Sequence, residues 1–272
     1  MTDKLISWEA AVSWLKTQSD QQELVRACFY DDPLITAAER FYTSTEWCAV
    51  KQIVERFTKG NVLDIGAGRG ISSYAFARDG WTVTALEPDP GEIVGAGAIR
   101  SLAIEEELEI TVVESWGEEL PFIDGSFDLV YARQALHHAR DLDALCREIY
   151  RVLRPGGVLL ATREHVISKP EDRAVFLASH PLHGLYGGEN AYVVDRYRTA
   201  ITHSGITLLQ VLAAYDSNIN IYPGTIAELK EKIEKRLKLP IPYILFIKVI
   251  VPLLNLVNSE PGRLYTFLGQ KP

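Results

Sequence analysis

The chain has 272 residues, 47% of them hydrophobic, which is enough for one large domain with its own core. Its formal net charge of −8 argues against broad attraction to nucleic acid, so we predict no nucleic-acid partner. Cys28, Cys48 and Cys146 form an odd, widely spaced set, which indicates neither a disulfide framework nor a thiolate zinc site.

Apolar residues at helical spacing predict two helices before the first strand. The first helix is indicated by Leu5, Trp8, Val12 and Leu15. The second is predicted over residues 37–57, where Phe41, Tyr42 and Trp47 are interpreted mainly as packing residues, with ligand contact as the alternative. No sustained apolar stretch follows Met1, so we predict no secretory signal and a cytoplasmic location.

The segment from Asn61 to Ile71 reads NVLDIGAGRGI, an apolar strand followed by three alternate glycines. Gly66, Gly68 and Gly70 allow the backbone to approach a ligand closely, and a helix beginning at Ile71 would point its N-terminal amides at that ligand. Together these features predict a nucleotide cradle. The Gly-x-Gly-x-Gly spacing differs from the Gly-x-Gly-x-x-Gly of a dinucleotide fingerprint, so the later blocks decide its class.

Three further blocks follow in chain order. Residues 81–86 predict a second strand that ends at Glu87, whose carboxylate either accepts ribose hydroxyls or caps the next turn. Residues 120–132 predict a turn and a strand, followed by the Leu-His-His sequence at 136–138. Residues 151–158, RVLRPGGV, predict a helix that runs into a strand.

In order and spacing, the four blocks resemble the class I S-adenosylmethionine-dependent methyltransferases, in particular the branch that includes ubiquinone-biosynthesis and small-molecule methyltransferases. The resemblance covers residues 45–165. It implies an α/β fold with a Rossmann-like, doubly wound, seven-stranded, mostly parallel sheet, N-terminal helices and a helical insertion before the last strand. It also implies S-adenosyl-L-methionine as cofactor and S-adenosyl-L-homocysteine as product.

We expect a single methyltransferase domain, 1–272. Its parts are a helical cap at 1–58, a cofactor-binding core at 59–162 and an acceptor-side half at 163–272, with insertions at 171–192 and 217–262.

The resemblance also implies where the cofactor is held. Asp64 and the glycine turn would surround the methionine part, and Glu87 would hold the ribose. Many relatives carry an acidic residue near the adenine amine, whereas here we interpret Trp116 as stacking on the adenine. The complete predicted set is Asp64, Gly66, Ala67, Gly68, Gly70, Glu87, Pro88, Trp116, Gly117, Ala132, Arg133 and Gln134, the last three beside the methyl group.

Five of the six histidines lie between positions 137 and 183, near the expected carboxyl edge of the sheet. Arg163, Glu164 and His165 are expected just after a strand at 157–162. Three interpretations stay open. The histidines cap and pack loops, or one or two bind substrate or accept its proton, since the imidazole pKa lies near working pH. The third interpretation is a metal site built from His180, His183 and Glu189. The candidates for catalysis are His138, His165 and His137, and we predict no metal ion.

A helix with one apolar face and an excess of basic residues is predicted at 225–239. Residues 240–257 are unusually apolar, yet Lys248 and three prolines interrupt them, so we predict no membrane span. The segment packs against the core or a dimer partner, or it forms a lid or a peripheral membrane contact through 226–257. Residues 263–269 predict the final strand.

The sequence therefore predicts an S-adenosylmethionine-dependent methyltransferase that acts on a small-molecule or lipid-linked acceptor. Two alternatives come from other classes: an NAD(P)-dependent oxidoreductase, and a non-catalytic cofactor-binding scaffold with a membrane or partner contact. The acceptor atom and the oligomeric state are not predicted.

Overall fold

The computed structural model describes residues 5–272, so Met1 to Lys4, on which part of the secretory-signal prediction rests, lie outside the described residues. An eight-stranded sheet forms the centre of the described chain. Its strands are β1 (Asn61–Ile65), β2 (Thr82–Leu86), β3 (Ile110–Val113), β4 (Phe127–Arg133), β5 (Leu153–Ile167), β6 (Tyr192–Val193), β7 (Thr207–Leu212) and β8 (Arg263–Gln270).

The strand order is β3-β2-β1-β4-β5-β8-β7, and β6 pairs with β5 outside this path. All pairings are parallel except those of β8, which is antiparallel to both β5 and β7. The predicted doubly wound, mostly parallel sheet with one antiparallel strand near its edge is confirmed. The sequence pattern missed β6, since a two-residue strand carries no periodicity.

Alternate residues of the central strands contribute their side chains to two separate hydrophobic clusters. Val62 packs in one cluster with Phe41 and Trp47 of the N-terminal helices, whereas Leu63 packs in the other with Leu145 and other residues of the helix Leu142–Val152. Because successive strand side chains point to opposite faces, both faces of the sheet are covered by helices. The carboxyl edge between the two layers remains for a ligand.

The N-terminal cap contains four α-helices: α1 (Trp8–Thr17), α2 (Gln22–Ala27), α3 (Leu34–Tyr42) and α4 (Thr45–Val54). The single helix predicted over 37–57 is wrong, because Ser44 begins a new helix by accepting a hydrogen bond from the Trp47 amide. Phe41 and Trp47 are fully buried, and the Tyr42 hydroxyl donates to Asp79. These aromatics pack the cap against the core.

The remaining helices follow the strands and fill the two insertions. They are α5 (Ile71–Arg78), α6 (Ala96–Glu105), α7 (Leu142–Val152), α8 (Asp172–Ser179), α9 (His183–Tyr186), α10 (Val194–His203), α11 (Asn218–Ile221), α12 (Ile226–Leu237), α13 (Tyr243–Leu245) and α14 (Val251–Val257), with a π-helical turn at Phe246–Ile250. The strand predicted at 157–162 is longer than expected, because β5 continues to Ile167. Its pairing with β8 shifts register between Ala161 and Glu164, and Arg163 adopts a φ of 59°. This β-bulge re-aims the side chains that follow it.

The insertion before β8 has a small core of its own. Ile226, Ile241, Phe246 and Val251 are buried together there. Ten large apolar side chains of the same region are exposed: Leu237, Leu239, Tyr243, Ile244, Leu245, Ile247, Val249, Leu253, Leu256 and Val257. Across residues 5–272, the helices are all too short or too polar to traverse a bilayer.

Candidate active site

The glycine turn after β1 lies at the carboxyl edge of the sheet. Gly66, Gly68 and Gly70 adopt φ angles of 66°, 56° and 79°, a region that favours glycine. A Cβ added at Gly66 would come within 2.9 Å of the Ala135 Cβ, whereas one added at Gly68 would meet no described atom within 4 Å. The space beside Gly68 is therefore open, and Gly70 is the N-cap residue of α5.

Asp64, the carboxylate at the end of β1, is almost fully buried. The hydroxyls of Ser72 and Ser73 both donate to its Oδ2 at 2.6 Å. Its Oδ1 is also buried and has no hydrogen-bond partner within the described chain. Burial raises the pKa of Asp64 to about 6, although the two hydroxyls act to lower it. A buried carboxylate oxygen without a partner is costly unless a ligand satisfies it.

Glu87, at the end of β2, faces the same turn. Its Oε2 accepts from the Gly68 amide at 2.8 Å and its Oε1 from the Asp89 amide at 3.0 Å, so each oxygen keeps a lone pair for another donor. Burial raises the pKa of Glu87 to about 7, although both amides act to lower it. The two predicted roles, turn cap and ribose acceptor, are thus compatible.

Ala132, Arg133 and Gln134 end β4 beside this edge. The Arg133 guanidinium donates to both oxygens of the buried Glu46, at 2.6 and 3.0 Å, and to the Gln134 side chain at 3.2 Å. Although burial opposes it, Glu46 raises the pKa of Arg133 above its ordinary value. Arg133 therefore anchors α4 of the cap on the sheet edge, a contact that sequence analysis missed.

Glu164 organises the loop after β4. Its oxygens accept from the amides of Ala135, Leu136 and His137, and from the His137 Nδ1 at 2.7 Å. Although burial lowers it, this contact with Glu164 raises the pKa of His137 to about 9. Sequence analysis singled out Glu164 without assigning this role. The sequence pattern that could have predicted this role is a single carboxylate next to an apolar strand. Such a carboxylate needs hydrogen-bond partners when it is buried.

His137, His165 and Glu189 converge above the sheet, with one donor atom from each lying within 4.8 Å of the others. The metal set considered from the sequence is corrected: His180 contacts Glu189 at 3.6 Å, but His183 is not part of the convergent group. His138 lies beside His137, with ring centroids 4.2 Å apart, and is exposed. Its Nδ1 lies 3.0 Å from the Gly188 carbonyl oxygen, which leaves Nε2 unengaged by that contact.

The other predicted cofactor residues surround the same edge. Ala67 is buried in the glycine turn, and Pro88 follows Glu87 at its rim. Trp116 is 52% exposed, and the Arg140 guanidinium lies over its ring at 4.1 Å. A Cβ added at Gly117 would come within 2.7 Å of Leu145, so glycine is required there for packing. The roles of these residues toward a cofactor remain predictions.

These features fit S-adenosylmethionine. The unsatisfied Asp64 oxygen, the open space at Gly68 and the free lone pairs of Glu87 match a ligand that carries both an amino-acid part and a ribose. A seven-membered strand path with β8 antiparallel and a glycine turn after β1 defines the Rossmann-like methyltransferase fold. Fold and site together therefore resemble those of the class I S-adenosylmethionine-dependent methyltransferases.

Comparison with known proteins leads to the same class. Residues 63–161 match the family model described as a methyltransferase domain. The chain is 28% identical over 207 residues to the methyltransferase GfsG of Streptomyces halstedii, covering 70% of both chains. It is 38% identical over 100 residues to a ubiquinone biosynthesis O-methyltransferase of Xanthomonas campestris, covering 36% of this chain and 40% of that one.

A solved structure of Haemonchus contortus phosphoethanolamine N-methyltransferase 2 in complex with S-adenosyl-L-methionine superposes with a TM-score of 0.57 at 20% identity. The match covers 92% of this chain and 59% of that one, and it shows the likeness of the fold. Residues 63–161 therefore match a methyltransferase domain, and the fold is that of a methyltransferase solved with S-adenosylmethionine. The oxidoreductase alternative is not favoured.

Proposed function

We propose that the enzyme transfers a methyl group to a hydroxyl of a small-molecule or lipid-linked acceptor. The observation that carries this proposal is a pair of buried carboxylates: Asp64, whose Oδ1 has no partner, and Glu87, which is bonded to the Gly68 amide beside open space. S-adenosylmethionine supplies the activated methyl group when bound, so the protein has to bind, orient and exclude water.

Each part of the cofactor has a proposed protein partner. Glu87 accepts the ribose hydroxyls with the lone pairs that its two backbone amides leave free. Asp64 Oδ1 accepts a donor from the amino-acid part, directly or through water, which removes its unsatisfied state. Trp116 stacks on the adenine, and its partial exposure supports this role.

His138 is the proposed base for an acceptor hydroxyl. The Gly188 carbonyl can only accept, so His138 Nδ1 donates to it and Nε2 carries the lone pair. The Ala135 side chain lies against the turn at Gly66, which brings the loop that carries His138 beside the cofactor cradle. His137 and His165, the other predicted candidates, direct their unengaged nitrogens toward Glu189 instead.

The N-terminal cap is proposed to exclude water from the site. Glu9 of α1 accepts from the Ile93 amide at 2.6 Å, in the loop that follows Glu87. The Ile6 amide donates to the Leu185 carbonyl at 2.9 Å in the first insertion. The start of the chain therefore joins the cofactor side to the acceptor side across the carboxyl edge.

The exposed apolar side chains of the second insertion support a lipid-linked acceptor. Leu256 and Val257 are 80% and 73% exposed, and they are continuous in sequence with other exposed aliphatic residues. The preceding helix, α12, is rich in lysine. An apolar surface beside basic residues is the composition of an interfacial contact with an anionic bilayer.

A search for methyl transfer tests the activity and the acceptor class. Wild-type protein and the Glu87→Ala variant are incubated with methyl-labelled cofactor and fractionated aqueous or lipid extracts. We expect the wild type alone to label a hydroxyl-bearing compound at low cofactor concentration. Labelling on nitrogen or carbon would contradict the acceptor assignment, and absence of labelling with intact S-adenosylhomocysteine binding would contradict the proposed reaction.

Vesicle flotation tests the lipid contact. The Leu253→Ser/Leu256→Ser variant changes exposed residues of the insertion, and the Ile104→Ser/Ile123→Ser variant changes residues elsewhere that are at least as exposed. We expect the first variant to lose binding to vesicles of phosphatidylglycerol and phosphatidylcholine, and the control to retain it. Equal flotation of both variants, or a concentration-dependent dimer that only the first variant loses, would show that the surface meets a different partner.

A further inference from the structure

Three parts of the chain bring metal-binding side chains to one point. His137 follows β4, His165 lies in β5 beyond its bulge, and Glu189 belongs to the first insertion. One donor atom of each lies within 4.8 Å of the other two. His137 and Glu189 are buried and His165 is partly buried, so the cluster is not a set of solvated surface charges.

Both imidazoles are oriented by their outer nitrogens. The His165 Nδ1 lies 2.9 Å from the Gly262 carbonyl oxygen, which accepts only, so this nitrogen carries the proton and Nε2 is the lone-pair donor. The His137 Nδ1 lies 2.7 Å from the Glu164 carboxylate, which likewise leaves Nε2 facing the cluster. A carboxylate or carbonyl behind each histidine is the arrangement that orients metal-ligating imidazoles in proteins.

The carboxylate of Glu189 completes the set. The Tyr186 hydroxyl donates to its Oε1, which fixes the side chain. Its Oε2 is buried, makes no hydrogen bond within residues 5–272 and lies 3.6 Å from the His137 Nε2. An anionic oxygen held in this way needs a positive partner, either the protonated His137 ring or a metal ion that displaces its proton.

We propose that His137 Nε2, His165 Nε2 and Glu189 Oε2 form a binding site for a divalent transition-metal ion of the zinc class. Bonds of about 2.0–2.2 Å in a tetrahedral site place ligand atoms about 3.3–3.6 Å apart, so modest side-chain rotation closes the observed cluster around an ion. Two imidazoles with one carboxylate select zinc, cobalt, iron or nickel over magnesium and calcium, which prefer oxygen ligands.

The fourth position is open to water, to an acceptor oxygen or to a further histidine. His180 stands nearest, with its Nε2 3.6 Å from Glu189 Oε1 and its ring centroid 6.1 Å from that of His165. An ion here would join β5 to the first insertion and, through the Gly262 carbonyl, to the end of the second. This proposal stands on the geometry of the cluster and does not depend on the acceptor assigned above.

Metal titration of the purified full chain tests the site. Protein freed of metal by chelation is titrated with zinc chloride by calorimetry, and with cobalt chloride by visible absorption. We expect one ion per chain and a tetrahedral cobalt spectrum. His165→Gln and Glu189→Gln should each weaken binding at least about 100-fold, whereas His203→Ala and Cys48→Ser, exposed residues outside the cluster, should not change it.

S-adenosylhomocysteine affinity serves as the folding control for every variant. Its retention in the two cluster variants, together with loss of the metal, would support the site. A wild type that does not bind zinc would overturn the proposal, as would zinc binding that persists in both cluster variants. In either case the cluster is an ion-pair network in which His137 bridges two glutamates.

Discussion

Lowering the pH from 8 to 6 should weaken cofactor binding through the protonation of Glu87. Burial raises the pKa of this carboxyl to about 7, and its ionised form is the better acceptor for ribose hydroxyls. The ionised fraction in the free protein falls from about nine-tenths to about one-tenth over this interval, so affinity should fall about tenfold. Asp64, with a pKa raised to about 6, contributes only a further factor of about two.

Calorimetric titration with S-adenosylhomocysteine at pH 6, 7 and 8 measures this dependence. Repeating it at pH 7 in buffers of different ionisation enthalpy counts the protons released on binding. Glu87→Gln is the matched variant, since it keeps the size of the side chain and removes the charge. For Glu87→Gln we expect weaker S-adenosylhomocysteine binding than in the wild type at pH 8. Its affinity should change only about twofold between pH 8 and 6, because only Asp64 still ionises in that range.

The Glu87 carboxyl also makes the stability of the free protein depend on pH, in the direction opposite to that of cofactor affinity. A folded pKa above the unfolded value means that the native state holds the proton more tightly, so the free energy of unfolding falls as pH rises from the unfolded value toward about 7. Saturating S-adenosylhomocysteine should raise the melting temperature more at pH 8 than at pH 6. An affinity that is flat between pH 6 and 8 in the wild type would refute the ribose assignment of an ionising Glu87.

Four other substitutions separate effects on cofactor binding, turnover and stability. Gly68→Val should abolish S-adenosylhomocysteine binding in a protein with native circular dichroism, because a β-branched residue disfavours a φ of 56° and its side chain enters the open space; normal binding would place the ligand elsewhere. His138→Ala should lower turnover of a hydroxyl acceptor about 100-fold or more with unchanged cofactor affinity, and unchanged turnover across pH would leave it a packing residue. Phe246→Ser should cost about 3–5 kcal/mol in chemical denaturation because Phe246 is fully buried, whereas Leu256→Ser, at an 80% exposed site, should change stability by less than about 0.5 kcal/mol; similar losses would contradict the division of the insertion into core and surface.

Local patterns made the central sheet and the cofactor cradle predictable. An apolar strand, three alternate glycines and a helix start within eleven residues leave few other structures for the segment 61–71. The end of β2 at Glu87 was likewise predictable, because strand and carboxylate are adjacent in the chain. Such features depend on neighbours in sequence, which is the range over which periodicity and turn chemistry act.

The contacts that shape the acceptor side were not predictable in this way. Glu46 and Arg133 are 87 residues apart, and Glu164 accepts from a loop 27 to 29 residues earlier. Sequence periodicity cannot predict these pairs, because the partners are distant in the chain and meet only through the crossover connections of the fold. The extension of β5 through Arg163 was missed for a related reason: the bulge is stabilised by pairing with β8, which lies a hundred residues later.

The buried charges also divide the cap into a fixed inner part and a looser outer part. Glu46 of α4 is fully buried, holds Arg133 through two hydrogen bonds and lies 3.7 Å from Arg163. Separating such a group from its partners leaves an uncompensated buried charge and costs about 3–5 kcal/mol. By contrast, α1 is held on the cofactor loop by the exposed contact between Glu9 and Ile93 and by apolar packing of Val12 and Leu15 in one cluster with Val94. Separating these contacts leaves no uncompensated buried charge. Ligand entry should therefore proceed by movement of α1, and faster amide hydrogen exchange in α1 than in α4 is the expected signature.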